Sequence, residues 1–224
     1  MLVIFDCDGV LVDSEIIASR VTARLLGEAG MEITPEEVSL RFAGLTGDQI
    51  FAEAETELGK NLPDTIRARS ESELDNALET ELQMVPGVHE MLDRLDAARC
   101  ICSNSTSERL EMELRRTELY DRFRPYIYSA VEVRQHRQKP APDVFLHAAE
   151  EFSVEPANVL VIEDSVHGVS GAVAAGMRVI GFTGASHSWP GHAEALMDAG
   201  ATTVVNRLRD VPATVEALAD WSLV

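Results

Sequence analysis

Positive charge is scarce in this chain of 224 residues. Its 19 lysines and arginines stand against 38 aspartates and glutamates, which gives a formal net charge of -19. Such a balance disfavours polyanionic partners, so neither nucleic acid nor an anionic membrane surface is expected to bind. An anionic substrate would therefore need a local positive charge, supplied by a metal ion or by a few well-placed basic side chains.

Cysteine and long apolar runs are also lacking. The three cysteines, Cys7, Cys100 and Cys102, show neither a C-x-x-C spacing nor a zinc-type cluster with histidine, so they are expected to be reduced core residues. No apolar run approaches the roughly 18 residues of a membrane span. The first apolar run begins almost at Met1 and leaves no room for a signal peptide. We therefore expect a cytoplasmic protein.

That first apolar run ends in carboxylates. Leu2 to Phe5 is rich in β-branched and aromatic side chains, which is typical of a strand buried on both faces of a sheet. Asp6 and Asp8 follow one residue apart, so in extended backbone both side chains leave the same side of the strand. Two carboxylates this close repel each other unless a cation lies between them or one is protonated. Hard oxygen ligands in this arrangement favour Mg²⁺.

Residues 15–83 show helical patterns only. Ser14 is expected to cap a first helix, in which Ile17, Val21 and Leu25 lie on one face. Further helices are predicted at Thr34 to Phe42, Asp48 to Leu58 and Asp64 to Leu82. Since no strand pattern interrupts this stretch, we predict a helical cap domain, residues 15–84, inserted into a core domain formed by residues 1–14 and 85–224.

From residue 85 onward, strand and helix patterns alternate. Asp143 is expected to cap one of the intervening helices, and the pattern assigns no role to residues 185–200. The predicted strands are Arg99 to Cys102, Tyr126 to Ser129, Asn158 to Ile162, Arg178 to Phe182 and Thr203 to Val205. Alternation of this kind implies right-handed crossovers and a parallel sheet. The predicted fold class is therefore α/β, a Rossmann-like parallel sheet with helices on both faces and an inserted α-helical cap.

Polar side chains cluster in sequence at the ends of these predicted strands. In chain order they are Asp6 and Asp8, Ser103 and Asn104, Lys139, and Glu163 and Asp164. A parallel sheet brings the carboxyl ends of its strands to one edge, where ligands bind. Phosphoryl transfer needs an in-line nucleophile, neutralisation of charge on the phosphoryl oxygens and a proton donor for the leaving group. Each requirement has a residue here.

Each of these groups also has a purely structural interpretation. An isolated Asp-x-Asp-Gly is typical of a solvated turn, and Ser103 could serve only as a helix cap. Lys139 taken alone would be read as a solvated surface lysine. Glu163 and Asp164 could cap the following helix, but two acids after a continuous apolar strand are a poor structural choice unless they pair with a cation.

In order and spacing, these residues resemble the four motifs of the haloacid dehalogenase superfamily of Mg²⁺-dependent phosphohydrolases. Residues 6–14, Asp-Cys-Asp-Gly-Val-Leu-Val-Asp-Ser, are similar to the first motif. Ser103, Lys139 and the pair Glu163-Asp164 are similar to the second, third and fourth. The resemblance covers nearly the whole chain and is greatest to the subfamily with a helical cap after the first strand.

The resemblance implies a role for each acid and for the lysine. Asp6 would be the nucleophile that forms an aspartyl-phosphate, and would also bind Mg²⁺. Asp8 would act as general acid and then as general base, and would offer its backbone carbonyl to the metal. Lys139 would neutralise charge on the phosphoryl group. Asp164 would bind Mg²⁺ directly, and Glu163 directly or through a water molecule.

The resemblance also implies a substrate site. Ser103 and the backbone N–H of Asn104 would hold the transferring phosphoryl group. In the predicted cap, Arg41 and the loop containing Gly44 and Thr46 resemble the segment that contacts the substrate. The expected partner is a small phosphorylated metabolite, such as a sugar phosphate. The sequence predicts no oligomeric state.

Other activities compete with hydrolysis of a phosphate ester. A haloacid dehalogenase would not carry an acid at the position of Asp8. Phosphosugar mutases of the family carry a histidine five residues after the aspartate that matches Asp13, where this chain has Ala18. We therefore expect a phosphatase, with a mutase as the alternative. A phospho-acceptor receiver domain is disfavoured because its phosphorylated aspartate lies on a middle strand and no helical insertion of this size follows its first strand. A non-catalytic binding protein is disfavoured because every chemical group is retained.

Overall fold

The computed structural model describes residues 1–42 and 45–220. Within these ranges the strands are β1 Leu2–Phe5, β2 Ala98–Ser103, β3 Ile127–Ser129, β4 Val159–Glu163, β5 Arg178–Phe182 and β6 Thr203–Val205. They form one parallel sheet in the order β3-β2-β1-β4-β5-β6. This architecture confirms the predicted fold class.

Helices connect the strands. Their bounds are α1 Glu15–Glu28, α2 Pro35–Arg41, α3 Gly47–Leu58, α4 Asp64–Glu81, α5 Val88–Arg94, α6 Ser107–Arg116, α7 Tyr120–Phe123, α8 Asp143–Glu151, α9 Val166–Ala174, α10 His192–Asp198 and α11 Val211–Asp220. Capping boxes at Thr34 and Thr46 set the starts of α2 and α3. In the described ranges, no helix combines the length and the apolar character needed to cross a membrane.

The two central strands are buried on both faces. Every residue of β1 and of β4 is buried, as expected for a parallel sheet covered by helices on either side. Val3 and Phe5 face one layer, which includes side chains of α5, α6, α7 and α11. Leu2 and Ile4 face the other layer, which includes side chains of α8, α9 and α10. The sheet therefore holds the carboxyl end of β1 rigidly at its centre.

Helices α1 to α4 lie between β1 and β2 in the chain and have an apolar core of their own. Its buried members include Leu25, Leu26, Val38, Phe51 and Ile66. We call α1 to α4 the helical unit. It also contacts the rest of the chain, because Leu78 and Leu82, at the end of α4, join the apolar layer beneath it.

The two connecting segments on either side of the helical unit pair with each other. The amide of Asp13 donates to the Gln83 carbonyl at 2.9 Å, and the amide of Val85 donates to the Leu11 carbonyl at 2.9 Å. Val12 and Met84 form the antiparallel bridge between them. The chain thus enters and leaves the helical unit through one short two-stranded ladder.

The structure corrects two capping predictions. Asp143 does not cap its helix: Pro142 occupies the cap position, and the buried Asp143 carboxylate accepts hydrogen bonds from Arg137 at 2.8 and 3.0 Å. Ser14 does occupy the cap position of α1, yet its side chain makes no capping hydrogen bond. In both cases the polar group has a partner elsewhere in the fold. Helix α10 lies in the segment to which the sequence assigned no role.

Candidate active site

Asp6 lies immediately after β1, at the centre of the sheet edge. Its amide donates to the Ile162 carbonyl of β4 at 2.9 Å, so the backbone remains fixed one residue beyond the strand. Its side chain is only 10% exposed. The rigid placement of this carboxylate follows from the buried, continuous apolar strand that precedes it.

Lys139 bridges two of the predicted acids. Its Nζ lies 2.7 Å from Oδ1 of Asp6 and 2.6 Å from Oε1 of Glu163, and its side chain is 3% exposed. The Lys139 amide donates to Oδ1 of Asn104 at 2.8 Å, which ties the loop to the end of β2. Burial alone would lower the pKa of Lys139, but the charges of Asp6 and Glu163 outweigh it and raise that pKa. The ammonium therefore stays charged.

The acids outnumber the single lysine. Asp6, Glu163 and Asp164 are all buried, and each offers a carboxylate oxygen within 4.8 Å of the others. Burial raises the pKa of Asp6 and of Glu163, and the charge of Lys139 only partly offsets this. Such a set of hard oxygen donors with excess negative charge fits a divalent cation of the Mg²⁺ type.

Two glycines make room for these carboxylates. A Cβ on Gly9, which has a φ of +73°, would lie 2.0 Å from Oδ2 of Asp164. A Cβ on Gly168, in the first turn of α9, would lie 1.9 Å from the Glu163 carboxyl group. The backbone thus approaches both acids more closely than any side chain would allow. The Glu163 carboxylate also accepts hydrogen bonds from the amide and hydroxyl of Ser165, at 3.1 and 3.0 Å.

Asp8 is held by three serine hydroxyls. Ser14 donates to Oδ1 at 2.7 Å, while Ser103 and Ser105 donate to Oδ2 at 3.2 and 2.9 Å. The Ser103 hydroxyl also accepts from the amide of Ser105 at 3.0 Å. Because a hydroxyl can both donate and accept, these serines can hold the Asp8 carboxyl group in either protonation state.

The predicted site residues fall into two groups. Those of the sheet edge lie together, joined by the contacts above: Asp6, Asp8, Ser103, Asn104, Lys139, Glu163 and Asp164. Those of the helical unit make contacts within that unit. Arg41 pairs with Glu57, and the Thr46 hydroxyl accepts from the Gln49 amide at 3.3 Å. Gly44 lies outside the described residues.

Sequence reasoning missed several polar groups of the site. It assigns Ser14 to a helix cap and gives Ser105 and Ser165 no role of their own. The run of hydroxyl residues after β2 was a usable signal, since hydroxyl groups at the end of a strand can donate hydrogen bonds to a neighbouring carboxylate. His187 carried no such signal. Its Nε2 lies 3.0 Å from Oδ2 of Asp164. The two residues are well separated in the chain, and no sequence motif links them.

Comparison with known proteins places this geometry in a family. The family model described as haloacid dehalogenase-like hydrolase matches residues 3–182. The 6-phosphogluconate phosphatase of Escherichia coli (strain K12) is 31% identical over 189 residues, which cover 84% of this chain and 85% of the relative.

Two solved structures are similar over nearly their full length. A haloacid dehalogenase-like protein of unknown function from Agrobacterium tumefaciens has a TM-score of 0.94 and 54% identity, covering 97% of this chain and 98% of its own. A hydrolase of the same family from Deinococcus radiodurans, with bound phosphate and sodium, has a TM-score of 0.84 and 30% identity, covering 97% and 95%. The predicted family and the predicted enzyme class, a hydrolase of phosphoric monoesters, are both confirmed. This chain belongs to the haloacid dehalogenase-like hydrolases.

Proposed function

We propose that this protein is a Mg²⁺-dependent phosphatase of small phosphate monoesters, with a sugar phosphate or similar metabolite as substrate. The observation that carries the proposal is the buried bridge of Lys139 between Asp6 and Glu163, with Asp164 beside it. The ammonium group of Lys139 and a cation bound by the neighbouring acids would together supply the positive charge that a phosphoryl group requires. The E. coli relative, a 6-phosphogluconate phosphatase, supports the substrate class.

The first half-reaction transfers the phosphoryl group to Asp6. Lys139 engages Oδ1 of Asp6 at 2.7 Å, which leaves the other carboxylate oxygen to attack phosphorus. The new bond joins that oxygen to phosphorus, and the bond between phosphorus and the ester oxygen breaks. Asp8 gives its proton to the departing oxygen, and an alcohol leaves. Ser103 and the amide of Asn104 would hold the phosphoryl oxygens.

The second half-reaction releases phosphate. Asp8, now a carboxylate, takes a proton from a water molecule, whose oxygen attacks phosphorus. The bond from phosphorus to Asp6 breaks, inorganic phosphate leaves, and both carboxyl groups return to their starting states. One side chain thus serves as acid and then as base, and its three serine partners can accommodate both forms.

Mg²⁺ would be held by side-chain oxygens of Asp6, Glu163 and Asp164. The resemblance to the family adds the backbone carbonyl of Asp8 to this set. When bound, it supplies charge neutralisation for the phosphoryl oxygens. The excess of buried carboxylates over the single Lys139 is the feature of this chain that supports a bound cation.

We propose that residues 15–84 form a cap domain that selects the substrate, with Arg41, Gly44 and Thr46 in the substrate-contacting segment. Closure over the sheet edge would exclude bulk water and restrict the enzyme to small molecules. The position that carries histidine in mutases is Ala18 in α1, which supports transfer to water rather than to a second sugar hydroxyl.

The test is release of inorganic phosphate from a panel of sugar and sugar-acid phosphates, with and without Mg²⁺. Asp6→Asn removes the nucleophile and should abolish turnover. Asp96→Asn, an exposed acid before β2, is the matched control and should retain it. Turnover that needs neither Asp6 nor Mg²⁺ would contradict the proposal. Interconversion of sugar phosphates without phosphate release, followed by ³¹P NMR, would establish the mutase instead.

A further inference from the structure

The segment that follows β5 and ends at the first residue of α10 contacts Asp164 at two separate points. His187 Nε2 lies 3.0 Å from the Asp164 carboxylate, and His192 Nε2 lies 2.6 Å from the Asp164 backbone carbonyl. We call residues 183–192 the histidine loop. Asp164 is therefore held at its side chain and at its backbone by one continuous piece of chain.

The histidine loop is itself firmly anchored. His192 is 1% exposed, its Nδ1 faces the Ser188 hydroxyl at 2.9 Å, and the Trp189 ring stacks on it with a centroid distance of 3.8 Å. At its other side, the amide of Ser186 donates to the Asp13 carboxylate at 3.0 Å. These contacts fix the position from which His187 reaches Asp164.

The His187 ring is buried beside the acid. Its side chain is 9% exposed, and a Cβ on Gly9 would come within 2.9 Å of its Cε1. Because Nε2 faces a carboxylate oxygen, it is the nitrogen that donates. Nδ1 is buried and has no hydrogen-bond partner among the described residues, so the link to Asp164 is the ring's one polar contact there.

We propose that His187 is a positioning residue for the metal site, acting through Asp164. By donating to Oδ2, it fixes the plane of the carboxylate and so the direction in which the other oxygen is offered. Hydrogen-bonding partners of metal-binding carboxylates typically change metal affinity 10- to 100-fold. The inference rests on the proposed function, since it assumes that Asp164 binds the cation.

The experiment compares two variants that both lack the imidazole ring. His187→Gln keeps a side-chain N–H donor, whereas His187→Leu has a similar volume and no donor, so the loss of ring packing is common to both. Binding is measured with Mn²⁺ on the intact, metal-free protein, from the electron paramagnetic resonance signal of the free ion, followed by displacement with Mg²⁺. His147→Ala, which removes a ring that packs against Tyr128, is the control.

We expect His187→Leu to weaken binding of both ions by about 10- to 100-fold, with His187→Gln and His147→Ala close to wild type. The Mg²⁺ concentration for half-maximal phosphate release should rise in the same order, with kcat restored at saturating Mg²⁺. Equal affinity in the Leu and Gln variants would overturn the role of His187 while leaving the phosphatase intact. Failure of the wild-type protein to bind either ion would overturn the proposed metal site, and the inference with it.

Discussion

Asp8, the proposed general acid, accepts hydrogen bonds from three hydroxyl groups. Ser14 follows β1, Ser103 is the last residue of β2 and Ser105 follows it, so the orientation of Asp8 depends on the ends of both strands. Asparagine at this position has nearly the same shape as aspartate, but it can neither give a proton to the leaving group nor take one from water. The two half-reactions should then fail to different extents, because only the first can be helped by a good leaving group.

We expect Asp8→Asn to lower kcat on a sugar phosphate by roughly 10²- to 10⁴-fold. With p-nitrophenyl phosphate, whose leaving group needs little protonation, the first half-reaction should survive while the second lacks its base. A stopped-flow trace should show a burst of about one equivalent of nitrophenolate, followed by slow turnover. Asp6→Asn should give no burst. A burst-free Asp8→Asn with equal losses on both substrates would contradict the assigned role.

Glu113 is a buried acid that the proposed reaction does not use. It lies in α6 with no exposed surface, its Oε2 is 3.9 Å from Sγ of Cys7, and its Oε1 has no partner among the described residues. Burial, assisted by the charge of Asp8, raises the pKa of Glu113 from 4.5 to about 10. The folded protein therefore holds a proton here that the unfolded chain releases above pH 4.5.

The sign of the resulting pH dependence follows. Between about pH 4.5 and 10 the folded state binds the Glu113 proton and the unfolded state does not, so this group makes stability fall as the pH rises. The slope can reach about 1.4 kcal/mol per pH unit. Glu113→Gln mimics the protonated acid, so the free energy of unfolding, measured in urea from about pH 6 to 9, should become less dependent on pH. Glu111→Gln, an exposed acid on the same helix, should keep the wild-type slope.

At the scale of the element, α9 shows how a helix is shaped to serve the site. Gly168 in its first turn leaves space for the Glu163 carboxyl group, whereas a Cβ on Gly27 in α1 would have no neighbouring atom within 4 Å. Glycine is a poor helix former at both places, and alanine would ordinarily stabilise each helix by roughly 0.5–1 kcal/mol.

We expect the same substitution to have opposite effects at the two positions. Gly27→Ala should raise the free energy of unfolding by roughly 0.5–1 kcal/mol and leave activity unchanged. Gly168→Ala should lower it by about 1–3 kcal/mol, because the new methyl group overlaps the Glu163 carboxyl group, and should weaken Mg²⁺ binding. Thermal and urea unfolding of the two variants would measure the contrast. Stabilisation by both substitutions would show that Glu163 can move aside.

Elements with strong local signals can be predicted from the sequence. The apolar runs of β1 and β4 and the capping boxes at Thr34 and Thr46 specify structure from neighbouring residues alone. The role of Asp143 cannot be predicted in this way, because its partner, Arg137, competes with the helix cap only once the loop has folded. A cap is inferred from the residues at the start of the helix, and the ion pair that Asp143 forms with the preceding loop overrides it.

The same distinction holds within the site. Asp6, Ser103 and Glu163 can be predicted because strand ends of a parallel sheet converge, whatever the loops do. The contact of His187 with Asp164 cannot, since it depends on the path of the loop after β5, and for Ser105 the run of hydroxyl residues after β2 indicates a role but not its partner. The sheet topology is enough to predict which residues meet at the strand ends. The groups that orient them can be identified only from the folded path of the loops.

At the scale of the whole molecule, the excess of negative charge is the main electrostatic cost of folding. A formal charge of -19 makes the chain repel itself, and the buried acids Asp6, Glu163 and Asp164 add to that repulsion at the sheet edge. A cation bound there should stabilise the folded state specifically. Sodium chloride should act only by general screening.

We expect Mg²⁺ at about 100 times its Kd to raise the free energy of unfolding by roughly 2.7 kcal/mol, and EDTA to reverse the gain. Sodium chloride at equal ionic strength measures the screening contribution. Asp164→Asn should lose the additional stabilisation by Mg²⁺ and keep the stabilisation that both salts provide by screening. If wild type responds equally to both salts, the acids of the sheet edge do not form a specific cation site.

The ladder between residues 11–13 and 83–85 closes the scaffold before the helical unit begins. Any inserted segment whose two ends meet on that ladder would leave the strand ends that carry Asp6 and Glu163 undisturbed. Under the proposed function, reactivity and selectivity would be encoded in separate stretches of the gene, one interrupted and one contiguous. Exchange of residues 15–82 in a single recombination event would keep Ser14 on Asp8 and would then give the same proposed chemistry a new range of substrates.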